Sequence, residues 1–468
     1  MSAAAPALVH SHAPRTEALA QFIAEFAPEK MPGELQEMTR RVVFDGVGAL
    51  LAASNPAYST GRLIAAFAAD QGGREEASVV GHGFKTGAVH AALANGTMGY
   101  ACDVEPHHPE GILHPIAVMV PTALAVGERV GCSGARFLAA VALGCEVEYR
   151  VSVALGPAQQ YHLGFHPSAV CGCFGATAAA AFLLGLDAEA ATRALGLAAC
   201  QASGMMAWES DPTENARPFQ MGMAARNGVT AALLAKSGFG GPDAVFDHGH
   251  TVFNAFSRDP RPERLTADLG VRFDGVMELA IKPYSCVSFL HPALDALLQL
   301  VRDEDLRPEQ IEKLVLRFPT SGVHCVDANP LKSHCAQYIL PVAIADRGLK
   351  VADIFVDRRV TDPTVAQLCR KVSVEADEEL EKLFPDYYAS IIELRTTDGR
   401  SFERRNDIAR GYPETPMSEA ELDEKFARLV GTVAPAQRVA EVRDAILALP
   451  RASDLHPFAA LLRQPAQA

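Results

Sequence analysis

Several features that identify common protein classes are missing from this chain. Aromatic residues make up only 7% of its 468 residues, so a core must rely on alanine, leucine and valine, which favours closely packed helices. The chain has no run of five or more basic residues, and its net charge is −14. An acidic chain gains nothing from the counterion release that drives nucleic-acid binding. We therefore expect neither nucleic acid nor an anionic membrane as a partner.

Metal and nucleotide signatures are also absent. The ten cysteines are scattered, and no C-x2-C pair occurs among them, although zinc ribbons and four-cysteine iron–sulfur sites need such pairs. The sequence contains no P-loop and no credible dinucleotide fingerprint. Its N-terminus lacks the basic start and continuous apolar stretch of a secretory signal. Buried free thiols and a cytoplasmic location are the expectation.

The longest mostly apolar stretch runs from Ala169 to Leu186 and reaches the length of a membrane span. It contains Gly172, Gly175 and Gly185, and alanine rather than leucine dominates it. These features favour a buried helix in the core of a large soluble protein over a transmembrane helix.

Apolar periodicity predicts a mainly α-helical protein, with a large all-helical domain and an inserted smaller α+β lid domain. Residues 1–17 are expected to form a loose tail. The predicted domain parts are 18–272, 273–402 and 403–455. Helices are predicted at 87–101, 115–128, 134–154, 167–186, 188–203 and 217–236, with Asp187 as an N-cap and Gly204 as a stop. Strands are predicted at 311–318 and 391–395, the second followed by an Asp-Gly turn, and Ser418 and Glu421 fit a capping box.

The segment from Asp103 to His114 is the first candidate for chemistry. It places three carboxylates and three imidazoles in a Pro/Gly-rich loop between two apolar helices, and such loops often carry catalytic groups. Histidine titrates near neutrality, and an adjacent carboxylate can orient it for proton transfer. A solvated turn with helix caps and a metal site built from Asp103, Glu105 and His107 are the alternatives.

His166 is the second candidate, because Pro167 follows it at the likely first position of the alanine-rich helix. The helix macrodipole disfavours a charged imidazole there, so His166 would stay neutral and could act as a base. A capping or packing histidine is the equally supported alternative.

Three basic residues follow. Arg217 and Arg226 lie on opposite faces of one helix. Arg217, at the helix start, is the better candidate for binding a carboxylate, whereas a structural ion pair is favoured for Arg226. Lys282, next to Pro283, could point into a cleft, although the local sequence alone favours an ordinary exposed lysine.

Taken together, these segments resemble the MmgE/PrpD family, which includes 2-methylcitrate dehydratase, cis-aconitate decarboxylase and iminodisuccinate epimerase. The stretches that carry the resemblance are RVVFDGVGALLAAS, the Asp103 to His114-Pro loop, GFHPSAV, RPFQMGMAARNG and IKPYSC. The resemblance implies a helical domain with an α+β lid, a homodimer, no cofactor or metal, and a site between the domains. It implies Asp103, His114, His166 and Lys282 as catalytic residues, and His107, Arg217, Gln220 and Tyr284 as substrate-binding residues.

Three positions depart from the family pattern. Asp103 is followed by Val104 and Glu105 where relatives often have Asp-x-Asp-Asp-Thr. Arg217 stands where lysine is frequent, and a guanidinium can hold a carboxylate but cannot release a proton. A Leu-Pro-Tyr motif here ends in Val342, which removes a phenol.

From these residues we predict a lyase, either a dehydratase or a decarboxylase, that acts on a small di- or tricarboxylic acid. Arg217 and Lys282 would hold carboxylates. His166 or His114 would remove a proton from carbon, with Asp103 orienting an imidazole. An epimerase of an amino- or imino-dicarboxylate and a non-catalytic polycarboxylate-binding protein are the alternatives.

Overall fold

Alanine and glycine allow the helices of this protein to pack closely, and a computed structural model describes the result for residues 14–466. The described residues form two compact units. The larger takes the residues up to Ala101, Glu105–Leu279 and those from Asp423 onward, and the smaller takes Cys102–Val104 and Ala280–Leu422. The predicted mainly α-helical class is confirmed.

The larger unit is helical apart from a two-stranded antiparallel ribbon, Ala77–Ser78 with Lys85–Thr86. Its α-helices are Arg15–Glu25, Gly33–Ala53, Ser59–Gln71, Ala88–Ala101, Pro115–Val130, Gly134–Leu155, Pro157–His162, Pro167–Leu184, Ala188–Ala199, Ala216–Lys236, Val252–Phe256, Asp274–Met277, Ala436–Ala448 and His456–Arg463. The helix Glu419–Val430 contributes its residues from Asp423 onward.

Glycines let the central helices of this unit approach one another. A Cβ atom on Gly96 would lie 2.8 Å from Cα of Gly222, so helices Ala88–Ala101 and Ala216–Lys236 meet backbone to backbone. A Cβ on Gly228 would lie 2.4 Å from Cβ of Ala176. Any added methyl group at these contacts would force the helices apart, and overpacking of this kind destabilises cores.

The helix Pro167–Leu184 lies at the centre of this packing. It is long and apolar enough to cross a membrane, but every one of its residues is buried within the larger unit. It is therefore packed as a core helix, as the abundance of alanine predicts.

The smaller unit contains a four-stranded sheet with the order Val372–Asp377, Ile311–Pro319, Ser390–Thr396, Ser401–Asn406. The first two strands are parallel and the other pairings are antiparallel. The last two are joined by the predicted Asp-Gly turn, in which Gly399 has a φ of 89°. The α-helices of this unit are His291–Asp303, Val323–Val326, Ala336–Asp346, Ala352–Phe355, Arg358–Thr361, Pro363–Cys369 and Glu378–Glu381.

Two local signals were correct. The Asp187 carboxylate accepts a hydrogen bond from the Ala190 amide at the start of its helix. Ser418 and Glu421 form the capping box, in which each residue's side chain accepts a hydrogen bond from the other's backbone N–H.

Two boundary predictions were wrong. Of the predicted loose tail, residues 1–13 lie outside the described residues, but a helix already begins at Arg15 because the distant Asp247 carboxylate accepts the backbone N–H groups of Arg15 and Thr16. The helix from Ala188 ends at Ala199, well before Gly204. Gly204 serves another purpose: its carbonyl accepts the His166 amide at 3.1 Å, and a Cβ there would meet Ala169.

Candidate functional site

The loop that follows helix Ala88–Ala101 is fixed by its own histidine. Paired backbone hydrogen bonds join His108 and Leu113, and Nδ1 of His108 accepts the Gly111 amide at 3.1 Å. Its Nε2 lies 3.1 Å from the Asp274 carbonyl, to which it therefore donates. Burial lowers the pKa of His108 to about 4, so this imidazole is neutral and holds the loop that leads to His114.

His114 is paired with Glu105 in a dyad. The distance from Nδ1 of His114 to the Glu105 carboxylate is 2.8 Å; Glu105 is fully buried, and the His114 side chain is 15% exposed. The backbone N–H of His114 donates to the Ser168 hydroxyl at 3.0 Å, which fixes the start of helix Pro115–Val130. A buried carboxylate beside an imidazole stabilises its protonated form, so this dyad is suited to donating a proton.

Tyr100 lies at the centre of the candidate site in the larger unit. Its ring centroid is 4.5 Å from that of His114 and 6.4 Å from that of His166, and the guanidinium carbon of Arg217 lies 4.7 Å from it. Two imidazoles and a cation from three separate segments therefore surround one buried ring.

His166 is held as a neutral imidazole at the start of helix Pro167–Leu184, with Pro167 at the predicted first position. Nδ1 of His166 lies 2.9 Å from Oε1 of Gln220, while the Gln220 nitrogen donates to the Met205 carbonyl at 2.8 Å. The amide orientation is thereby fixed, Nδ1 of His166 carries the proton, and Nε2 keeps the lone pair.

The electrostatic surroundings reinforce this state. Burial lowers the pKa of His166 to about 3; the hydrogen bond to Gln220 opposes the fall, and the charges of His114 and Arg217 add to it. His166 is therefore suited to accepting a proton, whereas the Glu105–His114 dyad is suited to donating one.

Arg217 contacts two aromatic rings at the start of helix Ala216–Lys236. Its guanidinium carbon lies 4.7 Å from the Tyr100 centroid and 5.2 Å from the Trp208 centroid. The Trp208 ring is also 5.7 Å from His166. Cation–π contacts with two rings hold this planar cation in place, and a guanidinium can bind a carboxylate bidentately.

Lys282 and Asp103 form a buried ion pair in the smaller unit. The ammonium lies 2.5 Å from the Asp103 carboxylate, and the two side chains are 1% and 3% exposed. Asp103 has a left-handed backbone conformation, with φ of 47°. The expectation that Lys282 is an exposed lysine was therefore wrong.

Known proteins match the chain over nearly its whole length. Residues 17–265 match the MmgE/PrpD N-terminal domain, and residues 284–449 match the MmgE/PrpD C-terminal domain. The chain belongs to the MmgE/PrpD family. The predicted resemblance is thus confirmed.

Cis-aconitate decarboxylases are among the relatives. The protein of this name from Aspergillus terreus (strain NIH 2624 / FGSC A1156) is 27% identical over 476 residues, which cover 96% of each chain. The one from Mus musculus is 29% identical over 73% of this chain and 72% of its own length. The one from Homo sapiens is 30% identical over 72% and 71%, respectively. These relatives support a lyase of the MmgE/PrpD type.

The structure brings together His114, His166, Arg217 and Gln220 within the larger unit, and His107 joins them, with its ring 6.1 Å from that of His114. Gln220 orients His166, and its predicted contact with substrate stays a prediction. The Tyr284 hydroxyl donates to the Asp295 carboxylate at 2.6 Å in the smaller unit, so this phenol already has an acceptor. Val342, at the departure from the family pattern, is fully buried in that unit's apolar core.

Two predicted roles need correction. The carboxylate on the His114 ring is Glu105, whereas Asp103, predicted to orient an imidazole, pairs with Lys282. Arg226 donates to the Asn227 side-chain oxygen, and no carboxylate partner of Arg226 exists among residues 14–466. In that part of the chain, no group of three or more His, Cys, Asp or Glu side chains is arranged to hold a metal ion, including the proposed Asp103, Glu105 and His107 set.

Sequence reasoning missed Tyr100 and Trp208 as parts of the site, and it named Glu105 only as a possible metal ligand. Tyr100 stands near the end of an alanine-rich apolar helix, where an aromatic residue is expected to be core. Trp208 offered one usable signal: it is the single tryptophan of the chain and lies nine residues before Arg217, outside any predicted helix.

Proposed function

We propose that this protein is a lyase that removes CO₂ from a small unsaturated tricarboxylic acid of the cis-aconitate type. One observation carries the proposal: the Tyr100 ring is surrounded by a fixed guanidinium, a neutral imidazole and an imidazole paired with a carboxylate. A polycarboxylate needs a cation for binding, and the reaction needs groups that differ in protonation state. The relatives named cis-aconitate decarboxylase support the same choice of substrate class.

The proposed step uses a single proton. Arg217 binds a substrate carboxylate through charge-assisted hydrogen bonds. The bond between the skeleton and the departing carboxylate breaks, and its electron pair stays on the carbon skeleton while CO₂ leaves. The protonated imidazole of His114 then supplies the proton that forms the new C–H bond, and Glu105 stabilises that imidazolium before the transfer.

His166 supports a second candidate, a hydro-lyase acting on a β-hydroxy polycarboxylic acid. Its neutral imidazole, with the lone pair on Nε2, suits removal of a proton from the carbon next to a carboxylate. The His114 imidazolium would then protonate the departing hydroxyl group. Decarboxylation does not need this base, so its importance for turnover separates the two candidates.

Other parts of the proposal concern Lys282 and the working form of the enzyme. We propose that Lys282 takes part in the reaction and that Asp103 holds its ammonium, since both lie in stretches that carry the family resemblance. We also propose a homodimer that needs no cofactor and works in the cytoplasm. Activity after dialysis against a chelator, and the mass in solution, test the cofactor and dimer claims.

The deciding experiment follows the reaction by proton NMR in D₂O with cis-aconitate, citrate or methylcitrate as substrate. Decarboxylation of cis-aconitate should release CO₂ and place one deuterium on the product. Dehydration of a hydroxy acid should instead give an alkene and no CO₂. We expect His114→Asn to lower the rate by two orders of magnitude or more, with the exposed His162→Asn as the control. Turnover of none of these acids by the native protein would refute the proposal.

A further inference from the structure

The larger unit contains a second buried ion pair, between Asp45 and Lys425. The ammonium lies 2.6 Å from an Asp45 oxygen, and the side chains are 1% and 2% exposed. Isolated charges are costly inside a protein, and an apolar pair could fill this space at no electrostatic cost. Packing alone therefore does not explain why two charged side chains occupy this place.

Packing fixes the position of this pair. Phe44 and Phe426, the neighbours of the two charged residues, stack with centroids 4.2 Å apart and ring planes at 27°. Gly48 allows this approach, since a Cβ there would lie 3.1 Å from Phe426. Asp45 and Lys425 are thus held at a defined place between helices Gly33–Ala53 and Glu419–Val430.

Gly46, the neighbour of Asp45, packs against the segment that follows His114, since a Cβ atom on Gly46 would lie 2.3 Å from the Ile116 side chain. Glu105 links the Asp45–Lys425 pair to the Glu105–His114 dyad electrostatically as well. Burial is the main reason why the pKa of Asp45 is raised; Lys425 opposes the rise, and the charge of Glu105 adds to it. Burial also lowers the pKa of Lys425, while Asp45 and Glu105 both oppose the fall. Glu105 therefore acts on both members of the pair as well as on His114.

We propose that Asp45 and Lys425 are positioning residues that set the charge balance of the Glu105–His114 dyad. The two carboxylates, the ammonium and a protonated imidazole sum to zero charge, which lets His114 hold its proton until the substrate takes it. This inference rests on the proposed function only for the role given to that proton.

Several other groups contact His114 or act electrostatically on the residues around it. Tyr100 and His107 pack near its ring, and the charge of His114 acts on His166, as does that of Arg217. Arg428 acts on Asp45 and Lys425. None of these is changed in the variants below.

The test is an NMR titration of His114 in protein labelled at histidine, with His114→Asn used to assign its signal. Lys425→Met removes a positive charge, so the imidazolium gains stability and the titration midpoint should rise by about one pH unit. Asp45→Asn removes a negative charge, so the midpoint should fall by a similar amount. The Asp45→Asn/Lys425→Met double variant should titrate close to the native protein.

A surface variant on the same helix is the control. Asp423 pairs with Arg443 at the surface, where both side chains are nearly half exposed, and Asp423→Asn should leave the midpoint in place. Opposite shifts in the two single variants support the inference even if neither the native enzyme nor the variants turn over cis-aconitate, in which case only the proposed function fails. An unchanged midpoint in either single variant, or shifts of the same sign, overturn it. If one single variant does not fold, the other tests the inference alone, because the direction of its shift is fixed in advance.

Discussion

Gln220 determines which nitrogen of His166 carries the proton. Its amide nitrogen is committed to the Met205 carbonyl, so its oxygen must face Nδ1 of His166 at 2.9 Å. Gln220, which is predicted to bind substrate, thus also acts on the imidazole beside it.

Gln220→Glu should create a dependence on acidic pH. A carboxylate facing Nδ1 stabilises the imidazolium and so raises the pKa of His166 from about 3. The neutral base would then be lost as the pH falls through a range where the native enzyme keeps it. If the enzyme is a hydro-lyase that uses this base, the pH profile of kcat/KM should gain an acidic limb, which Gln220→Met, carrying no charge, should not produce. Identical profiles for the native protein and Gln220→Glu would exclude His166 as the base and favour decarboxylation, which does not need it.

The free energy of unfolding should depend on pH because the His166 imidazole is buried in its neutral form. The ordinary pKa of histidine is about 6.5, and the folded values are about 3 for His166 and about 4 for His108. The unfolded chain therefore binds more protons below pH 6.5, so the stabilisation from these neutral histidines is complete above that pH and is lost as the pH falls.

His166→Asn removes one of these two histidines, and with it the proton that the unfolded chain binds there below pH 6.5. The slope of the free energy of unfolding against pH, measured with urea between about pH 4.5 and 6, should decrease by about 1.4 kcal/mol per pH unit. The exposed His162→Asn variant should keep the native slope. A native slope in His166→Asn would mean that His166 is protonated in the folded protein.

Arg217→Lys should weaken substrate binding although lysine is frequent at this position in the family. A lysine ammonium lacks the planar fork that contacts the Tyr100 and Trp208 rings and can bind a carboxylate bidentately, so KM should rise about tenfold or more. Trp208, the single tryptophan of the chain, lets fluorescence follow binding of the polycarboxylate directly. Arg226→Lys, on the opposite helix face, should bind the polycarboxylate as the native protein does. If Arg217→Lys also binds it with native affinity, Arg217 does not hold a substrate carboxylate.

Variants of the Asp103–Lys282 pair should distinguish its contribution to stability from its contribution to activity. Lys282→Met leaves a buried carboxylate without its cation and should lower the free energy of unfolding by about 3–5 kcal/mol. Asp103→Asn/Lys282→Met should recover much of that loss but should remain inactive if Lys282 takes part in the reaction. Arg404→Met, which breaks the exposed pair with Asp303, should cost less than about 1 kcal/mol. An active double variant would leave Lys282 a structural role alone.

Local sequence patterns predicted the helices well because caps and breakers act over a few residues. Asp187, Pro167 and the Ser418–Glu421 box work within one helical turn. The start of the first helix was missed because its cap comes from Asp247, more than 200 residues away. Such long-range caps leave no trace in local sequence.

The site was predicted in part for a similar reason. The sequence indicated that a carboxylate in the loop would orient a histidine and named Asp103 for this role, whereas the carboxylate paired with His114 is Glu105. The left-handed backbone at Asp103 and its pairing with Lys282 depend on contacts 179 residues apart. The roles of Tyr100 and Trp208 likewise arise only when separate helices pack together.

The contact between Gly96 and Gly222 limits which amino-acid substitutions this enzyme can accept near its candidate site. Gly96 lies about one helical turn before Tyr100, and Gly222 lies five residues after Arg217, so their backbone contact sets how far the guanidinium stands from the phenol ring. A single extra carbon at either glycine would move the cation away without altering any group that touches substrate. Variation in substrate range should therefore arise in the loops around the Tyr100 ring. Gly96 and Gly222, which touch no substrate themselves, should not tolerate any larger side chain.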